Sequence, residues 1–278
     1  MLSTILLSLA LLNGPANAEN RVLIVGDSWS AYTATYGSLD AAFAQAGHPD
    51  KLAVGATTAI SGSTAADWTT PAYQALITQA LGQNPDIDVV HLTIGGNDFF
   101  GGWNVGMGAA AESALFDQIA TDVETVVDFI QSQRAGVQVV LSTYDYPNFD
   151  EELAANPFYV LLYAAMGFPS AAQLNQAGAR GQLRIGRKVF QKPNVHVIHH
   201  FGLTHYLRGY PAKGMAPRTS AKPLQWRPGQ APAAGGDSSL FGTPEWLQDP
   251  IHLNDTGYYW VAAHCTFLFY DNYFDANP

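Results

Sequence analysis

Val22-Leu23-Ile24-Val25-Gly26-Asp27-Ser28 is an unbroken apolar run that stops at a glycine and two small polar residues. Four consecutive aliphatic side chains leave no wet face, so the run reads as a strand covered on both sides, ending where the chain can turn. Similar short runs follow at 52–54, 88–94, 137–142 and 195–199, and stretches of helical period lie between them at 41–46, 71–81, 112–133 and 171–191. In the third of these, Leu115, Ile119, Val123, Val126 and Ile130 recur at steps of three and four, the stripe a helix needs to pack on a sheet. Arg134-Ala135-Gly136 closes it with a cation and a glycine. A last, aromatic-rich helix opens at Asp255-Thr256-Gly257 and runs to about Tyr273. Strands alternating with helices predict an α/β fold, a three-layer αβα sandwich around a five-stranded parallel sheet.

The 278 residues, 47% hydrophobic and only 13% charged, suffice for a substantial core and exclude a disordered or fibrous chain. The apolar run from Ile5 to Leu12, followed by Gly14-Pro15 and Ala16-Asn17-Ala18, has the pattern of a signal peptide cleaved after Ala18, although no Lys or Arg precedes the run. Export to the periplasm or the medium is the expectation. No other stretch is long and apolar enough to span a bilayer, so no stable membrane anchor is expected. A single cysteine, Cys265, rules out a disulfide framework within the chain and a cysteine zinc cluster, and its apolar neighbourhood predicts a small core residue. Ten of the 13 Lys and Arg fall within 180–227, a segment with no Asp or Glu. The remaining chain, with 3 Lys and Arg against 23 Asp and Glu, carries −20, which disfavours nucleic acid as a partner. The basic segment is expected to face the protein's own acidic surface.

Two regions break the alternation, 149–170 with its aromatic and aliphatic side chains, and 203–248, rich in Pro and Gly. Both read as surface excursions on one domain spanning 19–278.

Ser28 follows a buried strand, and in an open parallel sheet ligands bind at the carboxyl ends of strands. A serine there is a nucleophile only if a base attends it. Asp249-Pro250-Ile251-His252 supplies a carboxylate three residues before an imidazole, spaced to hold Nδ1–H and leave Nε2 free. Gly95-Gly96-Asn97-Asp98 after the third strand and Ser61-Gly62-Ser63 after the second offer N–H donors for an oxyanion.

Together these blocks resemble the SGNH (GDSL) serine esterase and lipase family. Gly26-Asp27-Ser28 is similar to its first block, Ile60-Ser61-Gly62 to its second, Gly95-Gly96-Asn97-Asp98 to its third, and Asp249-x-x-His252 with Leu253-Asn254 and Gly257 to its last, in the family's order. The resemblance implies a flavodoxin-like fold. It also implies Ser28 as nucleophile, His252 as general base and acid, Asp249 as its orienter, and Ser28, Gly62 and Asn97 as oxyanion donors. Two departures stand out: Trp29 in place of leucine after the serine, and Thr57-Thr58-Ala59 where the second block often has an asparagine.

The expectation is a carboxylic ester hydrolase working through an acyl-serine, on a small-molecule or glycan ester, without metal or organic cofactor. Deacetylation of a carbohydrate by the same groups is an alternative, acyl transfer to an alcohol another, and a catalytically silent binding protein a third. His196, His199, His200 and His205 cluster in sequence, but strand geometry puts His199 opposite His196 and His200, a poor arrangement for a metal. His91 inside a strand reads as a hydrogen-bonded core residue, and Asp27 and Asp98 as turn residues binding nearby N–H groups. Tyr144, Tyr146 and Phe149, after the fourth strand, are candidates for a pocket wall.

Overall fold

The computed structural model describes residues 18–149, 158–207 and 246–278. The leader read at 1–18 falls, but for Ala18, outside the described residues, as do 150–157 and most of the excursion at 203–248.

Five strands form one all-parallel sheet: β1 (Glu19–Gly26), β2 (Lys51–Val54), β3 (Val89–Thr93), β4 (Gln138–Ser142) and β5 (Val195–Ile198), in the order β2-β1-β3-β4-β5. Each lies within three residues of its expected ends. Helices α1 (Ser28–Thr35), α2 (Ser38–Ala46), α3 (Ala65–Trp68), α4 (Pro71–Gln83), α5 (Gly96–Gly102) and α6 (Ala109–Gln133) precede β4. Helices α7 (Phe158–Ala165), α8 (Ala171–Val189), α9 (Leu203–Leu207), α10 (Asp255–Cys265) and α11 (Asp271–Ala276) follow it.

Alternation along the strands separates two cores. Leu23, Val25, Val90, Leu92, Val139 and Leu141 point to one face, under the side chains of α4, α6 and α8. Val22, Ile24, Val89 and Val140 point to the other, under Leu39 and Phe43 of α2 and Ala262, Tyr270 and Phe274 of the C-terminal helices. The three-layer αβα architecture expected from the sequence is what forms. In α6 the buried stripe is Phe116, Ile119, Val123, Val126, Val127 and Ile130; Leu115 is only half-buried and covers Gly102.

The C-terminal helix departs from the expected continuous one. Thr266–Tyr270 is a π-turn between α10 and α11, after which Tyr270 and Phe274 are both buried against Phe43. Tyr270 also meets His91 Nδ1 at 3.0 Å, so His91 is a hydrogen-bonded core residue, and burial brings its pKa down to about 4. Cys265 is fully buried, and burial pushes its thiol up to about 12.

The basic run begins on α8, where its cations meet the acids of α6. Arg180 pairs with Glu112, Arg184 with Asp117, Lys188 with Glu124, and Lys192, just past the helix, with Glu124 and Asp128. The part of the segment within the described residues therefore faces the protein's own acidic surface.

In this strand order the chain runs outward from β1 to β2 and then returns past β1 to β3. The switch lies between β1 and β3, where loops at the carboxyl ends diverge and leave a crevice. Ser28 follows β1 and Asn97 follows β3, so topology sets them on the two sides of that crevice.

Candidate active site

Gly26 ends β1 with φ +138°, and a Cβ there would lie 1.9 Å from the Thr93 carbonyl oxygen, so only glycine lets β1 turn away this close to β3. The next residue, Asp27, caps α1: its Oδ1 accepts the Trp29 N–H at 3.0 Å. Ser28 is thereby the first residue of a helix, where backbone N–H groups have no acceptor within the helix. Its side chain stands at the crevice, against His252.

The base comes from the opposite end of the chain. Residues 246–254 form a small antiparallel turn, with Leu247 bridged to Leu253 and the N–H groups of Gln248 and Asn254 bonded to the carbonyls of His252 and Trp246. Asp249 Oδ1 accepts the N–H groups of Ile251 (2.9 Å) and His252 (2.8 Å), and its Oδ2 meets His252 Nδ1 at 2.8 Å. His252 Nε2 lies 2.7 Å from Ser28 Oγ. With Nδ1–H donated to the carboxylate, Nε2 is left as the acceptor for the serine hydroxyl. Burial pushes the Asp249 carboxyl up, but the bonds and charge of His252 and the two backbone N–H groups outweigh it and hold the group below the ordinary carboxylate range. Asp249 is thus kept ionised while nine-tenths of its surface is covered.

The oxyanion candidates are tied to one another by their loops. Ile60 N–H and Ser63 Oγ–H both bond the Gly26 carbonyl, and Asn97 Nδ2 donates to the Ser63 carbonyl at 2.9 Å. One N–H of the Asn97 amide is used to hold it, leaving the second as a donor toward the crevice. Gly62 is exposed, with φ +82° and open space where a Cβ would be.

Three contacts have no counterpart in the sequence reading. Tyr159 of α7 donates its hydroxyl to Asp249 Oδ2 at 3.2 Å and lies 3.3 Å from His252 Nδ1. Trp29 is buried, with Nε1 on the Ile251 carbonyl at 3.3 Å and its ring edge-on to Tyr144 and Tyr258. The residue that departs from the first block therefore ties the serine helix to the histidine turn. Tyr144 donates to Asp27 Oδ2 and accepts the Gly96 N–H at 2.9 Å, linking the turns after β1 and β3. Fully buried, Asp27 has its pKa raised to about 7 despite the bonds from Tyr144 and Trp29. It serves the turn as expected, whereas Asp98 lies in α5 and accepts the Ala65 N–H that opens α3, joining two elements 33 residues apart instead of bracing its own turn.

The histidines of β5 do not converge. His196 bonds Gln138 and packs on Phe269, His200 bonds Ser142 and His264, and the His199 ring lies on the other face against Gly186 of α8. The His205 side chain lies outside the described residues. Among the described residues no three His, Cys, Asp or Glu groups are placed to hold a metal ion.

No protein-family model matches the chain, and no curated protein matches it in sequence. Solved structures do match in shape. The lipase Lip_vut3 from a goat rumen metagenome is similar at 12% identity, covering 90% of this chain and 98% of that one with a TM-score of 0.54. A carbohydrate esterase family 3 protein from Talaromyces cellulolyticus is similar at 14% identity, covering 92% and 99%, with a TM-score of 0.51. The fold is therefore a three-layer α/β fold shared with these structures, as expected from the sequence.

Proposed function

We propose that the protein is an exported carboxylic ester hydrolase that acts through an acyl-serine intermediate on Ser28. The observation that carries this reading is the unbroken chain of contacts Ser28 Oγ–His252 Nε2 (2.7 Å) and His252 Nδ1–Asp249 Oδ2 (2.8 Å), set at the crevice of the sheet. Its similarity in fold to a lipase and a carbohydrate esterase agrees with it.

Ser28 Oγ attacks the ester carbonyl carbon as His252 Nε2 takes the hydroxyl proton, and the carbonyl electron pair moves onto oxygen. Asp249 stabilises the resulting imidazolium and keeps its proton on Nδ1. The oxyanion is received by the Ser28 N–H, the free N–H of the Asn97 amide and the Gly62 N–H. Collapse breaks the bond to the alcohol oxygen, which leaves with the proton from Nε2. Water, deprotonated by the same nitrogen, then attacks the acyl carbon and restores Ser28. No metal or organic cofactor takes part in this scheme.

The test is a fluorophosphonate probe together with nitrophenyl esters. The wild-type protein is expected to be labelled on Ser28 and to hydrolyse an ester, and Ser28→Ala to lose both. Equal labelling of Ser28→Ala, or no labelling of a folded wild type, would leave only a binding protein on a hydrolase fold.

A further inference from the structure

Beside the serine, and not part of the triad, lies an apolar cavity between the end of β4, α5, α6 and α8. Trp29, Gly96 and Ile251 line its near side, and each is the immediate sequence neighbour of Ser28, Asn97 or His252. The far wall is Phe116 and Ile119 of α6 with Leu174 of α8. Two glycines in the middle of α8 keep that wall open. A Cβ at Gly181 would press to 3.3 Å from the Phe116 ring, and one at Gly178 would reach Phe99 at 3.8 Å. Glycine inside a helix is destabilising by about 1 kcal/mol relative to alanine, so open space here comes at the expense of helix stability.

The lining is almost wholly apolar. Of the polar side chains at its margin, Asp145 holds the N–H groups of Tyr146, Gly202 and Thr204, and Gln182 accepts the Tyr144 N–H; Asn175 also lines the cavity, with its Oδ1 buried. Such a cavity, even with Asn175 at its wall, rewards hydrocarbon far more than a sugar rich in hydroxyls. We infer that it receives the acyl chain of the substrate, an inference that rests on the ester-hydrolase reading above. The alcohol leaves before the acyl group does and needs an open way out, whereas the acyl chain stays bonded to Ser28 and can lie in a closed recess. The substrate class is thus esters of straight-chain acids longer than acetyl, whose hydrocarbon the recess covers.

Nitrophenyl esters of graded chain length test this with the full-length protein. In the wild type kcat/KM is expected to be higher for the butanoyl and hexanoyl esters than for the acetyl ester; a maximum at acetyl overturns the assignment. Gly178→Leu, which fills the recess, is expected to lower kcat/KM for the hexanoyl ester at least tenfold relative to the acetyl ester. Phe116→Ala is expected to move the optimum up by two or more carbons. Either folded variant keeping the wild-type chain-length profile, or a preference that follows the alcohol and not the acyl group, also overturns it. Loss of all ester cleavage and of Ser28 labelling in the wild type would instead mean failure of the hydrolase reading itself, and the recess assignment falls with it.

Discussion

The hydroxyl of Tyr159 donates to the same Asp249 oxygen that receives the His252 ring, at 3.2 Å. A carboxylate oxygen can accept both bonds, so the tyrosine holds Asp249 in register with the imidazole without displacing it. It is also the polar contact that ties α7, whose Phe158 and Leu161 are exposed, to the site.

Tyr159→Phe is therefore expected to leave the fold intact and lower kcat by about three- to tenfold, less than the full worth of a hydrogen bond to a charged acceptor because Asp249 keeps its bonds to His252 and to two backbone N–H groups. Steady-state kinetics on a nitrophenyl ester measures it, and an unchanged kcat would show that Asp249 is held by its other partners alone.

In the proposed mechanism Asn97→Ala removes one oxyanion donor, and such losses typically lower kcat by about 10²–10³. The same change also frees the Ser63 carbonyl, which loses its 2.9 Å bond. Gly62→Ala keeps its N–H and meets open space, but places a side chain at φ +82°. Its expected signature is a loss of about 1 kcal/mol in stability, with kcat within about tenfold of wild type. Denaturant melts and single-turnover acylation rates on the two variants separate these effects.

Acid should unfold the protein through its buried histidines. Burial brings His91, His199 and His264 down to about 4 and His200 well below its ordinary value. A base whose pKa is depressed in the folded state contributes stability that is intact above the unfolded pKa of about 6.5. That contribution is lost as pH falls toward 4. Chemical denaturation between pH 7 and 4 is expected to show falling stability, with a shallower fall in His91→Gln.

Asp27 works in the opposite direction. Its pKa is raised by burial from 3.8 to about 7, so the folded state prefers the protonated form, and the contribution present below pH 4 is lost as pH rises to 7. Asp27→Asn imitates that protonated form. Relative to wild type the variant should gain stability by a few kcal/mol as pH rises from 4 to 7, a trend that paired melts at the two pH values would detect.

Much of this was legible in the chain because of where it lies. Strands buried on both faces are solid apolar runs, so 22–25 and 137–142 announce themselves, and Ser28, Asn97 and the Asp249–His252 pair sit in short motifs beside them. What stayed hidden are contacts between residues whose own neighbourhoods look ordinary. Tyr159 is one aromatic among several in 149–170, and nothing local marks it as a partner of a carboxylate 90 residues away. The Asp27–Tyr144 bond spans 117 residues and joins a turn aspartate to a tyrosine that reads as pocket wall. The π-turn at Thr266–Tyr270 leaves no trace because the aromatic run around it shows no clear period to interrupt.

Tyr144 has two duties that pull against each other. Its ring forms part of the apolar recess, and its hydroxyl fastens the turn bearing Ser28 to the turn bearing Asn97. Chain-length preference can therefore be retuned from the distant side, at Phe116 or Leu174, with turnover largely preserved. Under the proposed function, attempts to widen the recess at Tyr144 would loosen the alignment between attacking atom and anion receptor, so selectivity and speed would be separable on one side of the cavity and inseparable on the other.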